Sequence, residues 1–462
     1  MSVLAVDIGS SRIKAMLAGW DGRVRHLRSV ATPRRGAEPG ESSFPVDEVQ
    51  RAVEDLIVAV AHADATERVD TLSFSCLGTA MAPVAANGQP LGPALAPTDL
   101  RPLAQRGPMA SLGIDAAELR RRTGSDPAVA SFLWHVLWWQ AERPAVMEQT
   151  HRFRSLRGHI LAQLCGADVE DHSWASRSML VELGADDWSP QIVAAAGLPP
   201  DVLPALVPST AVFAIHSAAV ERLGLAAGAR AVAGGMDNCC AVLGAAGTDR
   251  SGLVNIVGTY EHMAGAAGLD VVRRVAAASS AIIHRYLLPG QFVTMTRVPI
   301  GDLLAQATTG MAERLDELFD GLADRPLGVT IELDARAVRE ALRNGRPRGE
   351  IVQGLVQAAA TVLVRFVDAW AAEGLPSDPI AVVGGGSGHD GLLRLKATML
   401  RRTLIALARD EAAALGALRL AAMATRGATA LEACTLFENP IDRGIRPGSA
   451  SQAMPPEGVS TT

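Results

Sequence analysis

Two segments that lie far apart in the chain share one pattern, an apolar run, a polar turn with glycine, and a second apolar run. In the first segment, the turn DIGSS at 7–11 separates residues 3–6 (VLAV) from residues 13–17 (IKAML). In the second, Gly258 and Thr259 separate residues 253–257 (LVNIV) from the apolar residues that follow. Each pattern predicts a β-hairpin. A hairpin that recurs in each half of a chain predicts two domains of similar design.

The segments after each hairpin predict helices and further strands. In the first half, an extended piece at 24–30 precedes apolar residues at helical spacing over 49–60, and a short strand follows at 71–75. In the second half, apolar residues at helical spacing over 355–370 precede a buried-type strand at 380–383. Strands mixed with helices in this way are typical of an α/β fold, so we expect an α/β domain in each half.

Composition excludes several classes of protein. The chain has 462 residues, with 43 Lys and Arg against 49 Asp and Glu, so its formal net charge of −6 does not indicate a nucleic-acid partner. A hydrophobic content of 48% excludes disorder as the main state. The N-terminus has no basic region before its apolar run, and no stretch reaches the ~18 uninterrupted apolar residues of a membrane helix. The five cysteines lack metal-ligand spacing, which favours a reducing compartment. We therefore expect a cytoplasmic, multi-domain enzyme without a membrane partner.

The first hairpin turn carries groups that bind phosphate. Gly9 lets the backbone approach a ligand, and its neighbours Ser10 and Ser11 add hydroxyl groups to the backbone N–H donors. Asp7, at the end of the preceding strand, is a candidate Mg²⁺ ligand through water. The alternative is an ordinary hairpin turn without a ligand. The second turn, at Gly258 and Thr259, is uninformative alone, but paired with the first it predicts the other side of a phosphate clamp.

A carboxylate follows two glycines in the segment Gly234-Gly235-Met236-Asp237, just before a predicted helix. One interpretation is a helix N-cap, the commonest role of a carboxylate in that position. The other is a general base, because the two glycines leave room for a substrate hydroxyl beside Asp237.

A glycine-rich loop at 384–391 follows a predicted strand and opens a predicted helix. Residues 386–391 fit G-x-G-x-x-G, and Asp410 lies further along after another strand, so the segment alone permits a dinucleotide site for NAD. Its place near the C-terminus leaves little chain for such a fold and leaves the two hairpins unexplained. A loop for an adenine nucleotide accounts for all four motifs. The sequence contains no G-x-x-x-x-G-K-[ST] motif, which argues against a P-loop kinase.

Taken in order and spacing, the four motifs resemble those of the FGGY family of carbohydrate kinases. Residues 7–14 resemble the first phosphate motif of that family, and residues 234–244 resemble the segment that holds its catalytic base, here Asp237. Residues 258–259 resemble the second phosphate motif, and residues 384–387 the adenosine motif. The resemblance implies two ribonuclease-H-like (actin-like ATPase) domains around a nucleotide and sugar cleft. It also implies ATP with Mg²⁺, and phosphorylation of a hydroxyl on a small sugar or polyol such as a ketopentose or deoxyketose.

The resemblance also implies roles for individual residues. The catalytic residue is Asp237 and the metal residue is Asp7. The nucleotide and phosphate residues are Gly9, Ser10, Ser11, Lys14, Gly258, Thr259, Gly301, Gly385, Gly386 and Ser387. The substrate residues are Cys76, Leu77, Gly78, Thr79, Asp99, Arg101 and Asn238. The sugar pocket departs from the family pattern, with Pro97 where the family often has Trp and with CLGT at 76–79 where many pentulose kinases have Gln-Met-His-Gly.

These predictions divide the chain into three parts. Residues 1–246 form an N-terminal domain with the sugar site, the first phosphate motif and the base, residues 247–440 form a C-terminal domain with the second phosphate and adenosine motifs, and residues 441–462 form a flexible tail. A homodimer is left open. The altered sugar pocket motivates one alternative function, a pseudokinase that binds nucleotide without phosphoryl transfer. The second alternative is an NAD-dependent oxidoreductase that uses the 386–391 loop.

Overall fold

The computed structural model describes residues 1–36, 38, 40–63, 68–105, 113–247, 249–309, 318–319 and 331–447. These residues group into two compact units. Unit 1 comprises Met1–Gly244, Ile283–Phe292 and Ala413–Glu438, and unit 2 comprises Ala245–Ile282, Val293–Ala412 and the segment that begins at Asn439.

Strands and helices alternate along much of the chain. The strands are β1 Ser2–Ile8, β2 Arg12–Gly19, β3 Val24–Ala31, β4 Ser43–Phe44, β5 Val69–Cys76, β6 Met81–Val84, β7 Ala94–Leu95, β8 Arg152–Ser155, β9 Val169–Asp171, β10 Ala205–Val207, β11 Val212–Ala214, β12 Arg230–Met236, β13 Val254–Val257, β14 Glu261–Gly268, β15 Ile282–Arg285, β16 Gln291–Met295, β17 Ile380–Val383, β18 Leu404–Leu407 and β19 Ile441–Ile445. The helices are α1 Val46–Ala61, α2 Ala116–Thr123, α3 Phe132–Glu142, α4 Pro144–Gln149, α5 Leu156–Cys165, α6 His172–Ala175, α7 Pro190–Ala195, α8 Ser217–Leu223, α9 Asp237–Ala245, α10 Leu269–Ser279, α11 Ile300–Thr308, α12 Ala335–Arg343, α13 Arg348–Ala372, α14 Asp390–Leu400, α15 Ala412–Arg426 and α16 Ala430–Leu436.

The six-stranded sheet of unit 1 has the order β11-β12-β5-β1-β2-β3. Strands β1 and β2 form the predicted hairpin, and β1, β5 and β12 run parallel to one another. Every residue of β1 is buried, so both faces of the sheet are covered there. Helices α1 and α5 pack on one face through residues such as Val53, Ile57 and Leu161. A strand that is buried on both faces has a continuous run of apolar residues. This is why apolar and polar residues do not alternate over residues 3–6.

The other face of this sheet is covered by helices from the end of the chain. Leu415, Leu418 and Phe437 pack with Val3 and Ala5 of β1 in one core cluster. The segment Ala413–Glu438 therefore belongs to unit 1, whereas the sequence placed it in a domain that runs from 247 to 440. The difference has a physical cause, since the second apolar face of β1 needs a cover, and in the described part of the chain the buried residues outside the sheet that pack on it come from 414–437.

The seven-stranded sheet has the order β15-β16-β14-β13-β17-β18-β19. Strands β13 and β14 form the second predicted hairpin, and β17 and β18 follow in parallel with β13. Both sheets thus contain a hairpin whose first strand is joined by two parallel strands, which confirms the predicted repeat. Helices α10, α11, α13 and α14 pack on this sheet around a core that contains Leu355, Phe366 and Leu393.

Two features of unit 2 bear on the predictions. Helix α13 is long and apolar enough to cross a membrane by length and composition, but 67% of its apolar window is buried inside the protein, as in the core helix of a folded domain. The predicted tail from residue 441 is wrong at its start, because Ile441–Ile445 pairs with β18 as an antiparallel strand. Residues 448–462 of that predicted tail lie outside the described part of the chain.

Candidate active site

Three parallel strands of unit 1 end at the same edge of the sheet. Asp7 of β1 lies opposite Ser75 of β5 in the register, and Gly235 of β12 lies opposite Ser75 from the other side. Asp237 follows β12 directly and opens α9. The Ser75 hydroxyl donates to Asp7 Oδ1 at 2.8 Å. Since β1 and β12 flank β5, they are ~10 Å apart, two strand spacings. The carboxyl ends of parallel strands are where α/β sheets place their ligands.

A backbone irregularity directs the end of β12. The pairing of β12 with β5 shifts register between Val232 and Gly235, and Gly234 has a left-handed φ of +77°. A Cβ atom at Gly234 would lie 1.8 Å from the Phe74 carbonyl oxygen, so only glycine fits this position. Such a bulge re-aims the residues beyond it. The two-glycine segment is therefore what sets the direction in which Asp237 leaves the sheet.

The surroundings of Asp237 raise its pKa to about 7. Removal from water is the main cause, and the negative charge of Asp7 adds to it. The Asn238 backbone N–H, which donates to Asp237 Oδ1 at 2.7 Å, and the Arg177 guanidinium act in the opposite direction. A carboxyl group with a pKa near neutrality can accept a proton from a hydroxyl and release it afterwards, as a general base requires.

Sequence reasoning missed a hydrogen-bond chain that holds the end of β12. The Met236 backbone N–H donates to Ser173 Oγ at 2.9 Å, and Ser173 Oγ donates to Asp171 Oδ2 at 2.6 Å. Asp171 also accepts from the Arg157 guanidinium at 2.6 Å, and all four residues are buried. The chain ties the residue before Asp237 to α6. Its only signal in the sequence is Asp171-x-Ser173, an ordinary N-cap pattern.

The first predicted phosphate turn lies beside this edge. The Gly9 N–H donates to the Arg12 carbonyl at 3.1 Å and closes the turn between β1 and β2. Ser10 and Ser11 are exposed at its tip. Lys14 is the cross-strand partner of Asp7, so the two side chains lie on the same face of the hairpin. The structure therefore places the predicted phosphate and metal residues of the first turn on one hairpin, which β5 separates from the strand that precedes Asp237.

Four of the predicted substrate residues extend β5 and reach the same region. Cys76 is fully buried, and desolvation raises the pKa of its thiol to about 12, so it is neutral at physiological pH. A Cβ atom at Gly78 would lie 3.2 Å from Met236 Sδ, so this glycine packs against the residue that precedes the candidate base. Thr79 has a left-handed φ of +69°, which is unfavourable for a β-branched residue. Backbone strain of this kind is concentrated at functional sites. Leu77 is buried between these residues.

Asp99 and Arg101 bind each other. Arg101 donates from Nε to Asp99 Oδ1 at 3.0 Å and from Nη2 to Asp99 Oδ2 at 2.6 Å, and it also pairs with Glu41. The Arg101 guanidinium lies 4.8 Å from the Trp138 ring centroid. The Ser42 N–H donates to the buried Asp99 carboxylate. These contacts give the pair a local structural role, beside which its predicted substrate role stays a prediction.

Unit 2 contains a cavity of about 410 Å³ at the second hairpin turn. Its lining includes five of the predicted nucleotide residues, which are Gly258, Thr259, Gly301, Gly385 and Gly386. Gly301 is the second residue of α11 and donates its N–H to the Thr259 carbonyl at 3.0 Å. A Cβ atom there would lie 2.6 Å from the Gly258 carbonyl oxygen, so Gly301 lets α11 pack closely against the turn. Ser387, at the end of the glycine loop, donates to Asp410 Oδ1 at 2.6 Å instead of lining the cavity.

The same contact bears on the dinucleotide interpretation. That interpretation needs the Asp410 carboxylate for the ribose hydroxyls of NAD. In the structure the carboxylate already accepts from Ser387 of the glycine loop. The loop itself forms a 3₁₀ turn over Gly385–Gly388 before α14 begins, rather than entering the helix directly.

Within the described part of the chain, no group of three or more His, Cys, Asp or Glu residues has the geometry to hold a metal ion. The five cysteines, Cys76, Cys165, Cys239, Cys240 and Cys434, are free. A protein-only metal cage is therefore absent among these residues. Asp7 can still contribute to Mg²⁺ binding, because Mg²⁺ commonly takes one or two carboxylates and completes its shell with water and substrate phosphates.

Comparison with known proteins identifies the family of the chain, its relatives and solved structures with a similar fold. The N-terminal domain model of the FGGY family of carbohydrate kinases matches residues 2–244, and the C-terminal domain model matches residues 329–425. The chain is 27% identical over 428 residues to a glycerol kinase of Gloeobacter violaceus, which covers 86% of this chain and 83% of that relative. It is 25% identical over 211 residues to a gluconokinase of Bacillus subtilis, which covers 46% of this chain and 41% of that relative.

Among solved structures, xylulose kinase from Rhodospirillum rubrum superposes with a TM-score of 0.82 at 19% identity and covers 98% of this chain and 95% of that one. This structural similarity shows that the chain has the same actin-like two-domain fold as that xylulose kinase. The first family model alone covers more than half of the 462 residues, and the second adds the segment with the glycine loop. The chain belongs to the FGGY family of carbohydrate kinases.

Proposed function

We propose that this enzyme transfers the γ-phosphate of ATP to a hydroxyl of a small sugar or polyol, with Asp237 as the general base. The observation that carries the proposal is the Asp237 carboxylate at the carboxyl end of β12, with a pKa of about 7 and Asp7 close enough to raise it. A base with a pKa near the working pH serves proton abstraction best.

In the proposed reaction, Asp237 accepts the proton of the acceptor hydroxyl as its oxygen attacks the γ-phosphorus in line, and ADP leaves. Phosphoryl transfer depends mostly on positioning and electrostatic stabilisation. Ser173 acts as a positioning residue here, since it holds the Met236 backbone next to Asp237. The turn between β1 and β2 exposes Ser10 and Ser11, whose hydroxyl groups can donate to phosphate oxygens.

Mg²⁺ fits the chemistry of the first hairpin. Asp7 is a buried carboxylate whose Oδ1 already accepts from Ser75, and its charge and that of Asp237 repel each other. A divalent cation held near Asp7 would offset that repulsion and would supply neutralisation of charge on the phosphate oxygens. Lys14 lies on the same face of the hairpin and adds positive charge.

ATP is assigned to the cavity of unit 2. The backbone groups of Gly258, Thr259 and Gly301 surround one side of that cavity, and Gly385 and Gly386 line another. Phosphate oxygens suit the turn because its glycines let a ligand approach the backbone without side chains in the way. The named relatives phosphorylate glycerol, gluconate and xylulose, so the acceptor here belongs to the small sugars and polyols. The cytoplasmic location and the functional roles of the domains stay predictions.

A coupled assay of ADP release tests the proposal. The acceptor panel contains ketopentoses, deoxyketohexoses, gluconate, glycerol and tetritols, with Mg-ATP in excess. At least one compound is expected to raise ADP release well above the rate without acceptor. A thermal-shift panel accompanies it, in which Mg-ATP raises Tm and NAD does not.

The two alternatives give different results in these assays. Stabilisation by NAD and none by ATP would favour the oxidoreductase. Stabilisation by ATP with no response to any acceptor in the panel would favour the pseudokinase, which the altered segment at 76–79 and Pro97 motivate.

A further inference from the structure

A buried ion pair lies in the wall of the unit 2 cavity. Glu261 is the first residue of β14, and Lys396 lies in the middle of α14. Lys396 Nζ contacts Glu261 Oε1 at 2.6 Å, and the exposed fractions of the two side chains are 1% and 0%. Both residues line the cavity together with Gly258 and Gly386. Removing two charges from water is costly, and their mutual attraction repays that cost only when further hydrogen bonds complete the geometry.

The pair has hydrogen-bonding capacity that the described residues do not use. Asn255 Nδ2 also donates to Glu261 Oε1, at 2.9 Å, so one carboxylate oxygen accepts two hydrogen bonds. Within the described part of the chain, neither the other oxygen, the buried Glu261 Oε2, nor Asn255 Oδ1 has a hydrogen-bond partner. The Lys396 ammonium has three N–H donors, of which one is directed to Glu261. A buried carboxylate oxygen without a donor is unfavourable unless a ligand supplies one.

The rest of the cavity indicates which part of a nucleotide meets this pair. Ile300, Leu304, Val356 and Leu392 contribute apolar wall. The hairpin turn, with its backbone N–H groups, is suited to phosphate. The aromatic faces of a purine fit an apolar wall, so the polar edge of the base is the part that needs a donor and an acceptor side by side.

We propose that the Lys396–Glu261 pair reads the edge of the adenine base and makes this kinase selective for a 6-aminopurine. Glu261 Oε2 accepts a hydrogen bond from the exocyclic amino group, and Lys396 donates to the ring nitrogen beside it. Adenine presents this donor next to an acceptor, which complements a carboxylate next to an ammonium group. The inference rests on the proposed use of ATP in this cavity and goes beyond it by assigning base selectivity to two named residues.

The test compares two nucleotides that differ only at the 6-amino group. The dissociation constants of ATP and of purine riboside 5′-triphosphate are measured by calorimetry with Mg²⁺ present. The unaltered protein is expected to bind ATP at least about tenfold more tightly than the analogue, the effect of one hydrogen bond to a charged group. In the double variant Glu261→Met/Lys396→Met, ATP and the analogue are expected to bind within about twofold of each other.

The double variant is preferred over either single change. Removing one partner alone leaves a buried unpaired charge, whereas replacing both by apolar side chains of similar size is often neutral for folding. The matched control is Arg274→Met/Glu373→Met, which removes an ion pair of the same 2.6 Å length at the surface of unit 2. This control is expected to keep the full preference for ATP.

Three results would overturn the inference. The first is equal affinity of the unaltered protein for ATP and the analogue. The second is that the double variant keeps the preference for ATP over the analogue. The third is that the double variant instead loses a preference for ATP over 2′-deoxy-ATP, which would assign the pair to the ribose. Failure of the proposed function looks different, because the unaltered protein would then neither bind ATP nor release ADP with any acceptor.

Discussion

The fold holds Asp237 in surroundings that oppose its charge. An aspartate carboxyl group ordinarily has a pKa of 3.8, and desolvation together with Asp7 raises that of Asp237 to about 7. Perturbed carboxyl groups of this kind are concentrated at catalytic sites. The proposed role of Asp237 as base therefore carries a cost to stability, since its ionised form is favoured in the unfolded chain and disfavoured in the folded one.

The pH dependence of activity follows from this shift. A general base works when deprotonated, so kcat/KM is expected to rise with pH through about 7 and to level off above it. Asp237→Asn is expected to lower kcat by several orders of magnitude while ATP still binds. Steady-state kinetics from pH 5.5 to 8.5 and a nucleotide titration measure both effects.

The pH dependence of stability provides an independent test of the raised pKa of Asp237. The folded-state pKa of Asp237 lies above its unfolded value, so its contribution to stability is present at low pH and is lost as pH rises through about 7. At pH 8, Asp237→Asn should therefore unfold at the same temperature as the unaltered protein or a higher one. The control is Asp270→Asn, because Asp270 is 85% exposed and should change neither kcat nor Tm. Unchanged turnover in Asp237→Asn would refute its role as base.

At the scale of elements, the end of β12 depends on a single glycine. Gly234 and Gly228 both have left-handed φ values, of +77° and +74°. A Cβ atom at Gly234 would collide with the Phe74 carbonyl in the neighbouring strand, whereas nothing lies within 4 Å of one at Gly228. Comparing alanine at the two positions therefore distinguishes the energetic cost of the left-handed backbone conformation from that of the steric clash.

Alanine at these two glycines should therefore have unequal effects. Gly228→Ala is expected to lower the free energy of unfolding by about 1–2 kcal/mol, the cost of a left-handed conformation for a residue with Cβ. Gly234→Ala is expected to lower it by more than about 4 kcal/mol or to displace the end of β12, with loss of kcat/KM. Denaturant unfolding and kinetics on both variants measure this, and equal losses would contradict the role given to the bulge.

At the scale of the whole molecule, the last helices of the chain complete the first unit. Leu418 of α15 is fully buried in the cluster that covers β1, whereas Leu431 of α16 is 58% exposed. Arg419, on the same helix as Leu418, is buried and donates to the Leu243 and Phe437 carbonyls. The N-terminal sheet is therefore not covered on both faces until residues near 437 have been added.

This packing predicts which part of the protein is destabilised when a buried side chain of α15 is truncated. Leu418→Ala is expected to destabilise the protein by about 2–5 kcal/mol and to speed hydrogen exchange in β1. Leu431→Ala should change neither by a measurable amount. Hydrogen exchange followed by mass spectrometry resolves the two units. If faster exchange in Leu418→Ala were confined to β13 and β17, the assignment of α15 to unit 1 would be wrong.

The two hairpins, the glycine-rich turns and the family to which they belong could all be predicted from the sequence. These features are local, because a turn between two apolar runs is specified by residues within about ten positions of one another. For the same reason Asp237, Gly258 and Gly385 could be named as candidates, and the structure places the two glycines around one cavity.

Contacts between residues far apart in the chain became visible only in the folded protein. The Ser173–Met236 hydrogen bond, the Lys396–Glu261 pair and the cover that α15 gives β1 join residues 63, 135 and several hundred positions apart. No periodicity or motif signals such contacts. They arise from the register of parallel strands and from the need to bury both faces of a sheet, and those constraints act only once the whole chain has packed.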